Sequence, residues 1–192
     1  MNHAIVIAGT DTGIGKTVFA AALTGASGGT YWKPIQAGIA GGTDSDVVAE
    51  IGGVPNQRIY PESYRLLTPC SPHRAAEIDN TNIDTTSLTP PDRPATRPLI
   101  IEMAGGLMVL LTREFLQIEL LARWKIPVIV CARTTLGTIN HTLLSLFALQ
   151  ACHVPVIGVA FIGDADPSAE EAIVSFGETR HLGRLPICAP LN

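Results

Sequence analysis

Short, nearly unbroken apolar runs alternate along this chain with stretches whose apolar positions recur at helical spacing. The runs at 4–8, 30–33, 99–102, 127–132, 155–162 and 181–185 predict strands. Each run is continuous rather than alternating, as expected for strands covered on both faces. Segments 16–26, 45–51, 113–124, 140–151 and 167–176 predict helices. Phe115, Ile118, Leu121 and Ala122 share one face of the third, which reads as core packing. Thr43-Asp44-Ser45-Asp46 is a helix start, with a polar cap and acids in the first turn. Strands alternating with helices predict an α/β fold: a three-layer sandwich around a mostly parallel sheet. Residues 68–98, rich in Thr, Pro and Asp, are the least regular part. That is long for a loop in a compact domain, so the segment either closes over a ligand or holds short elements.

Composition narrows the class. The chain has 192 residues, enough for one domain over 1–192 with a full core. It is 46% hydrophobic and 16% charged, which describes a globular chain rather than a disordered one. A net charge of −4 argues against a general binder of nucleic acid or membrane surfaces. No apolar run approaches a membrane span, and the N-terminus lacks the basic start and apolar core of a signal peptide. The four cysteines show no C-x-x-C spacing and read as reduced and mostly structural, in a cytoplasmic protein.

The chemistry concentrates in Gly9 to Thr17, GTDTGIGKT. An apolar strand precedes it and a helical pattern follows, the context of a phosphate-binding loop. Small residues let backbone N–H groups turn around an anion, and the helix N-terminus adds its positive end. Lys16 would reach the β- and γ-phosphates, and Thr17 would offer a hydroxyl to Mg²⁺. Thr10 stands where the common loop has its first Gly, with Gly9 one step earlier. The fold expectation becomes a P-loop NTPase-like sandwich.

Ligands in open α/β sheets lie beyond the carboxyl ends of the strands. Glu102 ends one predicted strand there and is either a metal ligand or the cap of a turn. Asp46 is a second candidate ligand, although it or Asp44 could serve merely as a cap. Lys33 ends the second strand on the same edge, where it could stabilise a transferred phosphoryl group or an anionic acceptor. Asn140 could cap a helix whose N-terminus receives an anion, or cap it and nothing more. His73 is either a loop ligand or an unspecialised loop histidine. No convincing Ser-His-Asp or Cys-His arrangement is present.

Taken in order, GTDTGIGKT, YWKPIQAG (31–38), GTDSD (42–46), SPH (71–73), IEMAGG (101–106) and LGTINH (136–141) resemble dethiobiotin synthetases over essentially the whole chain. The first and last of these motifs are quite specific. The resemblance implies an ATP-dependent carbon–nitrogen ligase of biotin biosynthesis. Such an enzyme closes a cyclic urea from 7,8-diaminononanoate and CO₂ with MgATP.

The resemblance also implies roles. Gly13, Ile14, Gly15, Lys16, Thr17 and Val18 would hold the ATP phosphates. Thr17, Asp46 and Glu102 would bind Mg²⁺. Lys33 would act with Lys16 and Thr12 around the carbamate and the γ-phosphate. Glu102, Met103, Ala104 and Gly105 would border the nucleotide, and Pro186, Ile187 and Cys188 the base pocket. Ala37 would approach the substrate, and Asn140 would be donated to it by the partner subunit of a homodimer.

Some positions depart from the family's pattern. Met103 replaces a Gly, Leu110 a Pro and Ala37 a small hydroxyl residue, while Ile162 replaces an Asn that reads adenine. A side chain at 103 would cost stability and displace Glu102 if that position requires positive φ. The chain stops at Asn192, earlier than most members, which implies a more open base pocket. Two other readings fit a phosphate loop: a regulatory P-loop ATPase that switches protein partners, and a nucleotide-binding relative with little turnover. The first typically carries an additional lysine early in the loop, a region Asp11 occupies here.

Overall fold

The computed structural model describes residues 4–92 and 96–187. Seven strands form one fully parallel sheet: β1 (Ala4–Gly9), β2 (Thr30–Trp32), β4 (Ile59–Tyr60), β6 (Leu99–Gly106), β9 (Val128–Arg133), β10 (Val156–Ile162) and β11 (His181–Leu185). Their spatial order is β11-β10-β9-β1-β6-β2-β4. Two small ribbons flank it: β3 (Ile35–Ala37) with β5 (Tyr64–Leu66), and β7 (Leu110–Thr112) with β8 (Phe115–Leu116). The helices are α1 (Lys16–Ser27), α2 (Asp44–Ile51), α3 (Pro72–Ile78), α4 (Gln117–Trp124), α5 (Thr138–Ala151) and α6 (Pro167–Phe176).

Alternation along the central strands builds two cores. Val6, Ala8, Leu99, Ile101, Val128 and Val130 face one side, packed with residues of α3, α4, α5 and α6. Ile7, Ile100, Ile129 and Cys131 face the other, against Ala20 and Ala21 of α1 and Val48 of α2. The three-layer sandwich expected from the apolar runs is therefore present. The order of strand addition reverses around β1: β2 and β4 lie beyond β6, while β9, β10 and β11 extend the other way. The loop after β1 thus sits at the switch point of the sheet, where α/β proteins hold ligands.

Several elements differ from the sequence expectation. β6 continues to Gly106, paired with Gly9, so Glu102 lies mid-strand opposite Ile7 rather than at a strand end. Met103, extended within β6, points into the opposite core and is buried. No positive φ is required there, which removes the strain expected of a side chain at that position. Residues 113–116, assigned by periodicity to a helix, instead form the turn and second strand of the β7–β8 ribbon, and α4 starts at Gln117. α5 begins at Thr138 with Gly137 in the left-handed cap position (φ 92), so Asn140 is inside the helix and caps nothing. The irregular 68–98 segment contains α3, entered through Ser71-Pro72.

Candidate functional site

Residues 10–15 carry the chain from β1 into α1. Gly13 and Gly15 adopt positive φ, 69° and 92°, which bends the backbone around a concavity that L side chains would resist. A Cβ at Gly15 would come within 2.9 Å of Ile162 Cγ2, so Ile162 packs directly on the loop. Lys16 heads α1 and is 6% exposed, and its Nζ donates to the Asp11 carbonyl at 2.7 Å. Burial pulls its ammonium below the ordinary lysine pKa, against the attraction of Glu102. An anion in the loop would restore what burial takes away. The loop is tied to the end of β9 by an Arg133–Asp11 ion pair at 2.6 Å.

Beneath the loop, Glu102 ties β6 to α1 and β2. Its Oε1 accepts from the Thr17 hydroxyl at 2.8 Å and faces Lys33 Nζ at 3.3 Å. Its Oε2 accepts from the Tyr31 hydroxyl at 2.8 Å. Lys33 also pairs with Asp44, the first residue of α2. Burial opposes the Lys33 charge, but Glu102 and Asp44 outweigh it and hold the ammonium above its ordinary pKa. Burial, then the Glu102 charge, keep the Tyr31 phenol protonated far above its usual range.

Two carboxylates and a threonine hydroxyl at the mouth of a phosphate loop form an oxygen donor set suited to a hard divalent ion. Lys33 bridges Asp44 and Glu102 within this set.

The structure does not bring Asp46 into this set. Its Oδ2 accepts from the Thr43 N–H and the Thr43 hydroxyl, both at 2.8 Å, completing a capping box at the start of α2. Those hydrogen bonds hold its carboxyl below the usual pKa. Asp44, two residues earlier, is the acid that faces the cavity.

Two cavities open on either side of the loop and share Gly13, Ile14 and Gly15. The first, of about 550 Å³, is lined by Thr12, Lys16, Thr17, Lys33, Asp44, Glu102, Ala104 and Gly105. Ile35, Ala37, Pro69, Pro72 and Val109 give it an apolar lining, so part of the irregular segment borders this site. The second, of about 580 Å³, is lined by Val18, Arg133, Ile162, Pro186 and Ile187. Cys188 lies outside the described residues. Met103 lines neither of these cavities, being on the opposite face of the sheet. Asn140 is exposed on α5 and also lines neither. His73 opens onto a smaller cavity beside Glu77 and Arg113, away from the loop. Cys131 is buried, and burial pushes its thiol up to about 12, which leaves it inert as a nucleophile. Among the described residues, no helix is long and apolar enough to cross a membrane.

Comparison with known proteins agrees with this geometry. The model of the AAA domain family matches residues 3–192. A relative from Rhodopseudomonas palustris (strain TIE-1), named ATP-dependent dethiobiotin synthetase BioD, is 57% identical over 186 residues, covering 97% of this chain and 87% of that protein. Relatives of the same name from Nitrobacter hamburgensis and Novosphingobium aromaticivorans are 54% and 53% identical, covering 100% and 98% of this chain and 90% of each relative. Among solved structures, a ParA family ATPase from Chlorobium tepidum TLS superposes with a TM-score of 0.53 at 10% identity, covering 97% of this chain and 84% of that one. At that identity the likeness describes the fold alone.

Proposed function

We propose that this chain, which belongs to the ATP-dependent dethiobiotin synthetase family, converts 7,8-diaminononanoate and CO₂ to dethiobiotin with MgATP. The observation that carries the reading is the convergence of two lysines from separate segments, Lys16 and Lys33, on one cavity beside a phosphate loop. A partner-switching ATPase has no use for Lys33 held between two carboxylates in that cavity. Relatives named for the ligase at more than half identity also weigh against that alternative.

In this reading one amine of the substrate adds CO₂, loses a proton and becomes a carbamate. The carbamate oxygen takes the γ-phosphoryl group, releasing ADP and leaving a carbamic–phosphoric anhydride. The second amine then attacks the carbonyl carbon, and phosphate leaves as the ring closes. Negative charge moves at every step, so fixed cations are the expected catalysts. Lys16 faces the β- and γ-phosphates from the loop, with Thr12 beside it. Lys33 faces the carbamate and the transferred group. The apolar lining formed by Ile35, Pro69 and Val109 suits the alkyl chain of the substrate, with Ala37 close by. Pro186, Ile187 and Ile162 border the base. Thr17, Glu102 and Asp44 would hold Mg²⁺, which would supply positive charge to offset that of the phosphates.

The cytoplasm suits such a biosynthetic enzyme, and a homodimer suits its surface. Asn140, Leu144 and Phe147 recur at i, i+4 and i+7 on α5 and are exposed, beside the fully exposed Leu136. Such an apolar stripe supports a second copy docking there and carrying Asn140 to its neighbour's substrate.

ATP hydrolysis measured with and without diaminononanoate and bicarbonate tests the reading. Stimulation by the full mixture, with dethiobiotin formed in step with ADP, is expected. Basal hydrolysis unaffected by either compound would overturn it.

The choice between the two acids of α2 has its own test. Asp44→Asn is expected to cut turnover at least tenfold, about 1.4 kcal/mol, and to raise the Mg²⁺ concentration needed. Asp46→Asn is expected to keep turnover and to lose roughly 1 kcal/mol of stability in urea unfolding, because it weakens a helix cap. That cap contribution is present above the unfolded-state carboxyl pKa and fades as pH falls through the depressed native one. The reverse pattern in the two variants would return Asp46 to the metal.

A further inference from the structure

We propose that Tyr31 is a positioning residue that leaves Glu102 a single oxygen for the metal, and so sets the site's preference for a small divalent ion over Ca²⁺. The inference rests on the metal role proposed for Glu102. Nothing in the apolar run around Tyr31 marks it as more than core.

The geometry separates the two oxygens of one carboxylate. Glu102 is 1% exposed and Tyr31 is 0% exposed. Oε2 is held from the β2 side by the Tyr31 hydroxyl at 2.8 Å. Oε1 points the other way, toward Thr17 and Lys33, both of which line the cavity. The tyrosine ring cannot turn aside, because it is packed with Ile7, Ala20, Ala21, Val48 and Ile100. A buried phenol hydroxyl keeps its partner, since losing it would leave an unpaired polar group in the core. Rotation of the carboxylate about its last bond is therefore arrested with one oxygen offered to the cavity.

That restriction matters for ion choice. Mg²⁺ demands near-octahedral geometry at short distance and takes carboxylates through one oxygen. Ca²⁺ takes six to eight oxygens and often grips a carboxylate by both. A glutamate with Oε2 engaged in the sheet serves the first ion and handicaps the second. Hydrogen bonds to ligating groups of this kind commonly change metal affinity ten- to a hundredfold.

Tyr31→Phe keeps the ring and removes the hydroxyl. Mn²⁺, observed by electron paramagnetic resonance, is bound to the protein with a non-hydrolysable ATP analogue, and Ca²⁺ is titrated against it. In the variant the Ca²⁺-to-Mn²⁺ affinity ratio is expected to rise about tenfold or more. An unchanged ratio overturns the proposal, even if both affinities fall, because loss of general stability weakens both ions together. A second measurement needs no variant at position 31. The carboxylate stretching bands of Glu102, isolated by difference against Glu102→Gln, should report one-oxygen ligation with Mg²⁺. Two-oxygen ligation overturns the proposal. If the unmodified protein binds no Mn²⁺ beyond that held by the free analogue, the metal site itself fails and this inference with it. Normal Mn²⁺ binding with an unchanged ratio fails the inference alone.

Discussion

Lys16→Ala is expected to lower product formation by about 10²–10³-fold and to weaken MgATP binding. Removing one fixed donor from a charge that develops in the transition state costs roughly 3–4 kcal/mol in comparable sites. The local structure makes Lys16 hard to replace. It is buried at the head of α1, and its ammonium is folded onto the Asp11 carbonyl of the loop it serves. Burial lowers its pKa against the attraction of Glu102, so an anion held in the loop would relieve a cost the cation carries there. The fold should survive the substitution, since Asp11 is exposed and its carbonyl can turn to water. Unfolding by urea, with a midpoint close to that of the unmodified chain, would separate this loss from misfolding. Near-normal product formation would remove the loop from the active site.

How much of this was legible in the sequence depended on whether a signal was local. The phosphate loop was, because glycines, Lys16, Thr17 and the flanking elements lie within one short stretch. The sheet was legible because its strands are covered on both faces and so read as unbroken apolar runs. Lys33 and Glu102 stood out as charges attached to such runs. Which acid of α2 faces the cavity was not legible. Asp44 and Asp46 both satisfy the rule that acids favour a first turn. Only the third residue after the cap can reach back to the Thr43 N–H, and that geometry takes Asp46 out of the cavity. Periodicity misassigned 113–116 because Phe115 falls in helical phase with Ile118 and Ala122, although the chain there turns back as a ribbon. Asn140 looked like a cap by residue type, while the cap position went to Gly137 through its backbone conformation. Tyr31 was hidden for the opposite reason. An aromatic in a buried strand needs no explanation until its hydroxyl is seen to meet Glu102.

Lys33→Gln is expected to collapse product formation by at least 10²-fold while MgATP affinity stays within a few-fold. Lys33 lies on the cavity wall just after β2, while Lys16 reaches the same cavity from the head of α1. Lys33 is held by Asp44 and Glu102, the two carboxylates proposed for the metal. A divalent ion on those carboxylates would compete with the ammonium for them and leave it to the carbamate and the transferred phosphoryl group. An interaction realised mainly in the transition state lowers kcat with little change in ground-state binding. Glutamine can return one hydrogen bond to either carboxylate but no charge, so it preserves packing and removes the electrostatic contribution. The alkaline limb of stability should change as well. The Lys33 pKa is raised in the native protein, so its contribution is complete below the unfolded lysine value and disappears as pH rises through the native one. Lys33→Gln should abolish that alkaline loss and leave stability near neutrality to be read separately. Isothermal titration with a non-hydrolysable ATP analogue, set beside single-turnover product formation, distinguishes the two roles. If the variant binds the analogue far more weakly yet turns over normally at saturating nucleotide, Lys33 is an ATP ligand only, and the carbamate is held by other groups.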